Sequence, residues 1–96
     1  MGADSFTSYA NGKTAQEAFE SAVREAQYDY GHAGYTGTIA EKKSFVMIPT
    51  PDTDDIEYFI EKMLDGNSSP VNDKWGPAGC IKLDGQEFVF FGWASS

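Results

Sequence analysis

Two stretches of the chain repeat apolar residues at three- and four-residue steps. Phe19, Ala22, Val23, Ala26 and Tyr30 share one face of a helix. Glu17, Glu20, Arg24 and Glu25 take the opposite side, with Glu20 and Arg24 spaced for an i,i+4 pair. Thr14-Ala15-Gln16-Glu17 reads as a capping box at its start, and Gly31 as its C-terminal stop. Ile56, Phe59, Ile60, Met63 and Leu64 form a second stripe. Thr50-Pro51 fits its N-cap and first position, Asp52, Asp54 and Asp55 suit the positive end of its dipole, and Asp65-Gly66 ends it.

Elsewhere the apolar positions alternate. Residues 5–10 read as a short edge strand closed by Asn11-Gly12. Residues 35–40 and 44–48 read as a hairpin joined by Glu41-Lys42-Lys43, and residues 67–77 as a loop carrying Trp75. Residues 78–83 and 86–93 are expected as a hairpin on a two-residue Asp84-Gly85 turn, which sets Lys82 opposite Glu87 and Ile81 opposite Phe88. The order β-α-β-β-α-β-β implies one α+β domain over residues 1–96. It matches a split β-α-β (ferredoxin-like) arrangement with a C-terminal hairpin, two helices packing on one face of an antiparallel sheet. In the last strand Phe88 and Phe90 share one face, and Val89, Phe91 and Trp93 the other. With both helices on one side, the other apolar face needs a cover: a second copy of the chain, another protein, or the Trp75 loop.

Charge narrows the function. Seven Lys and Arg against fifteen Asp and Glu give a formal net charge of −8 over 96 residues. Direct binding to nucleic acid or to an anionic membrane requires the opposite sign. One cysteine and one histidine exclude a Cys/His zinc framework. Asp52, Asp54 and Asp55 lack the spacing of a calcium loop, so no metal and no cofactor is expected. The first residues lack a secretory pattern, so a soluble, cytoplasmic protein is the expectation.

Two groups of residues could carry a function. The first is the glycine-rich run 31–38, where His32, Tyr35, Thr36 and Thr38, with Trp75, could hold a phosphate or a nucleotide. That run follows a helix and so meets its negative end, which argues for a cap and a turn instead. His32 has no accompanying nucleophile motif, and no catalytic residue is assigned. Cys80 reads as a small core residue. The second group is acidic: Glu17, Glu20 and Glu25 on the first helix, and Asp54, Asp55, Glu57 and Glu61 on or beside the second. On helices sharing one sheet face they would make a single negative field that steers the protein to a basic partner.

The segment Tyr28-Asp29-Tyr30-Gly31-His32-Ala33-Gly34-Tyr35-Thr36-Gly37-Thr38-Ile39-Ala40-Glu41-Lys42 resembles short proteins carried by bacteriophages and actinobacteria. Lys74-Trp75-Gly76-Pro77-Ala78-Gly79 and the ending Phe90-Phe91-Gly92-Trp93-Ala94-Ser95 resemble the same family. The resemblance carries over no catalytic residue. It implies a phage setting, in which small acidic proteins often inhibit host defence, anti-CRISPR proteins among them. The expectation is therefore a non-enzymatic inhibitor that occupies a basic, nucleic-acid-binding surface of a host protein. The alternative is a small-molecule or nucleotide sponge built on residues 31–38.

Overall fold

The computed structural model describes residues 3–31, 36–52, 55–65 and 76–95. Strand β1 is Ala3–Asn11, helix α1 Ala15–Tyr30, strand β2 Phe45–Met47, helix α2 Ile56–Asp65, strand β3 Ala78–Lys82 and strand β4 Glu87–Ser95. The four strands form one sheet in the order β1-β4-β3-β2. β4 is antiparallel to both neighbours, and β2 runs parallel to β3. The α+β class is as expected, with two helices on a mostly antiparallel sheet.

Helix α1 begins and ends where its capping residues predict. Thr14 Oγ1 accepts the Glu17 N–H at 3.2 Å, while Glu17 Oε2 accepts the Lys13 N–H at 3.1 Å. Gly31 stops the helix at φ +86°, donating its N–H to Gln27 O at 2.8 Å. The buried stripe is Ala18, Phe19, Ala22 and Ala26, and Tyr30 is exposed rather than part of it. Helix α2 starts later than expected. Asp55 caps it, accepting the Tyr58 N–H at 3.0 Å on Oδ1, and Thr50 donates its hydroxyl to Lys82 O at 3.2 Å instead.

Of the strand expected over residues 35–40, the described residues 36–40 form none, and the middle hairpin goes with it. Thr38 Oγ1 accepts the Ala40 N–H at 3.2 Å and starts a 3₁₀ turn, Ile39–Glu41. Burial of Ile39 at 1 % exposure holds that turn against the α1 core. Left without a hairpin partner, β2 pairs with β3 across the α2 crossover, which makes that pair parallel. The strand order therefore departs from the ferredoxin-like one.

The two helices lie on opposite faces of the sheet, which corrects the expectation of one shared face. Phe6, Cys80, Phe88 and Phe90 pack with α1, and Ile81, Val89 and Phe91 pack with α2. Alternation along β4 dictates this: both of its faces are apolar, and one helix covers each. The cover expected from a second copy or the Trp75 loop is supplied by α2. Phe19, Phe45 and Phe90 meet as a ring cluster in the α1 core, with centroids 5.1–5.7 Å apart.

Candidate partner-binding surface

The acidic residues divide into those that brace the fold and those that do not. Glu17 and Asp55 accept backbone N–H groups at the starts of α1 and α2. Glu20 accepts a bond from Gln16 Nε2 at 3.1 Å and borders a depression shared with Arg24, Lys42 and Lys43. Positive charge along the same depression weakens its field. Glu25, Glu57 and Glu61 are exposed and hold no hydrogen bond among the described residues. Asp54 lies outside the described residues. With the helices on opposite faces, the single negative field expected over one shared layer is not built.

A different convergence takes its place at the β1 edge. Between α1 and β1 lies a cleft of about 410 Å³, floored by Ala22 and Ala26 and bordered by Glu25, Asp29 and Tyr30. On the other face, between β1 and α2, lies a second cleft of about 350 Å³, bordered by Glu57, Glu61, Ile60 and Leu64. Ser5, Thr7 and Tyr9 of β1 line both clefts. No lysine or arginine lines either cleft among the described residues. Each helix thus hangs two carboxylates over one flank of the same strand. Trp93 Nε1 fixes α2 in this position by donating to Leu64 O at 3.1 Å.

Asp29 was not singled out in the sequence. It stands one helical turn after Glu25, and that i,i+4 spacing was the available signal. The role of β1 was harder to read, because its polar face is an ordinary edge-strand pattern until the helices are placed.

The glycine-rich run is internally bonded where it is described. Thr36 donates its N–H at 3.2 Å and its hydroxyl at 2.7 Å to Glu41 Oε2. With that proton committed, Thr38 donates to Thr36 Oγ1 at 2.8 Å. Gly37, at φ +69°, donates its N–H to Ser95 O at 2.7 Å. Among the described residues of the run, the Thr36 and Gly37 donors that an anion would use are thus engaged by Glu41 and the main chain. His32, Tyr35 and Trp75 lie outside the described residues. Cys80 is fully buried, and desolvation pushes its thiol up to about 11. A thiol of that kind stays protonated and unreactive at neutral pH, as a core residue should.

No family model, no curated protein and no solved structure matches the chain. No helix among the described residues is long and apolar enough to cross a membrane.

Proposed function

We propose that the protein is a small acidic binding module that inhibits a host machine by occupying a basic, nucleic-acid-binding surface. The observation that carries this reading is the convergence of Glu25 and Asp29 from one helix, and Glu57 and Glu61 from the other, on one open sheet edge. Four carboxylates on helices of opposite faces, with no lysine or arginine lining the clefts among the described residues, set up a field that attracts a basic partner and repels nucleic acid. The sequence resemblance adds the setting, a phage protein acting on host defence in the cytoplasm. Engagement of Thr36 and Thr38 within their own loop leaves the nucleotide-sponge reading second.

The test is capture of a partner from bacterial host lysate on the immobilised protein, followed by elution with salt and, separately, with duplex DNA. Both should release the partner, since DNA competes for its basic surface. The triple variant Glu25→Gln, Glu57→Gln, Glu61→Gln should capture far less. Equal capture by that variant, or capture indifferent to both salt and DNA, would overturn the reading. A nucleotide found by native mass spectrometry of the purified protein would move the function to residues 31–38.

A further inference from the structure

Strand β1 ends the sheet, and its outer edge pairs with no other strand among the described residues. In an antiparallel pair, alternate residues turn both backbone groups toward the partner, and those between turn both away. Leu83 donates its N–H to Glu87 O at 2.9 Å, so the odd residues of β4 bond to β3 and its even residues face β1. Gly12 N–H to Gln86 O at 2.9 Å fits the same phase. Phe88, Phe90, Gly92 and Ala94 stand opposite Ala10, Ser8, Phe6 and Asp4, which therefore bond inward. Ser5, Thr7 and Tyr9 turn their N–H and C=O groups outward, and no hydrogen bond engages these groups among the described residues.

We propose that this edge takes up an extended, lysine- or arginine-bearing segment of the partner as a fifth strand of the sheet. The inference rests on the acidic-module reading above and names its mode of contact. Side chains of an added strand alternate between the faces of the sheet. Residues opposite Ser5, Thr7 and Tyr9 point to the α2 face, under Glu57 and Glu61. The residues between them point to the α1 face, beside Glu25 and Asp29. A segment with basic side chains on both faces thus meets carboxylates on both, while its backbone completes the outward N–H and C=O row. Charge also decides against a second copy of this chain. Two β1 edges side by side would bring Asp4, Glu25, Asp29, Glu57 and Glu61 of each copy together, on a protein of net charge −8.

Among the described residues, the edge carries few of the usual guards against pairing. Over its nine residues β1 has no proline, no lysine and one charge, Asp4, near its end. The experiment uses the whole protein and a synthetic nine-residue peptide of lysine, arginine and threonine. Two matched peptides have alternate backbone nitrogens methylated, one in each phase, which keeps the charge and removes the ladder donors from one edge of the peptide or the other. Binding is read by fluorescence anisotropy, and amide exchange of Ser5, Thr7 and Tyr9 by NMR. The unmodified peptide should bind and slow exchange at those three amides. The peptide methylated on the docking register should bind at least about tenfold more weakly, because each methyl removes a ladder hydrogen bond. Thr7→Pro, which removes one outward N–H and no sheet bond, should weaken binding while leaving the fold intact. Equal binding by the methylated peptides of both phases, or unchanged exchange at Ser5, Thr7 and Tyr9, would overturn strand addition. A dimer of the free protein in sedimentation that protects the same amides would overturn it as well. In each of these cases, salt- and DNA-sensitive capture lost in the triple glutamine variant would still stand for the acidic module. Loss of that charge dependence would remove both.

Discussion

Gly12 and Gly31 bracket helix α1 and are glycine for different reasons. At Gly31 a Cβ would meet nothing within 4 Å, so only the φ of +86° resists a side chain. Gly31→Ala should cost about 1 kcal/mol in chemical denaturation. At Gly12 a Cβ would stand 2.6 Å from Ala18 N and 3.0 Å from Ala18 Cα, both backbone atoms that cannot swing aside. Gly12→Ala should therefore cost more, about 2–3 kcal/mol, and an equal or smaller loss would refute this close approach. The turn at Gly12 was legible as Asn11-Gly12; the contact with α1 was not, because it depends on how the helix folds back. Cys80 was legible as core and supports a pH prediction. Burial raises its thiol from the ordinary 9.0 to about 11, so the folded state holds a proton that the unfolded state gives up between those values. The contribution is constant below pH 9 and falls as pH rises toward 11. Denaturation midpoints measured from pH 8 to about pH 11 should fall more steeply for the native protein than for Cys80→Ala, a difference on the order of 2 kcal/mol.

At the scale of elements, β4 organises the molecule. Phe90 is fully buried among Phe19 and Phe45 on the α1 face, and Phe91 is fully buried on the α2 face. Phe90→Ala should cost about 3–5 kcal/mol, and a loss below about 1 kcal/mol would contradict the ring cluster. The apolar character of both β4 faces was plain in the sequence, and so were both helices. Their assignment to opposite faces was not, since the stripe of a helix says that it covers a sheet and leaves the side open. The last hairpin shows the same limit. Asp84-Gly85 suggested a two-residue turn with Lys82 opposite Glu87. The structure instead joins the strands through residues 84–86, with Lys82 opposite Phe88 and Ile81 opposite Val89. A one-residue slip exchanges the faces of a strand, and the observed register puts Ile81 with Val89 and Phe91 against α2 and Cys80 with Phe90 against α1. Core packing on two faces outweighs one exposed ion pair. Gly85 still sits at φ +66°, so the turn keeps its need for glycine in a different geometry.

For the whole molecule, the net charge of −8 could be counted from the sequence, but its placement required the fold. The sequence points to seven acidic residues on or beside the helices; the structure makes caps of Glu17 and Asp55, sets Glu20 in a depression shared with Arg24, Lys42 and Lys43, and adds Asp29 to the β1 edge. Carboxylates gathered without cations repel one another, and ions in solution screen that repulsion. Salt should therefore act on this protein in two opposite directions. Raising sodium chloride from about 0.02 M to about 0.3 M shortens the screening length severalfold. The thermal midpoint of the free protein should rise over that range, because self-repulsion across the β1 edge weakens. Affinity for a basic peptide should fall over the same range, because the attraction that draws it in is screened too. Substitution of Glu25, Glu57 and Glu61 by glutamine should flatten both trends together, since the same carboxylates produce both. A variant that kept the native salt dependence of binding but lost that of stability would place the partner elsewhere on the surface. A native protein whose midpoint did not respond to salt would mean that the four carboxylates stand too far apart to act as one field.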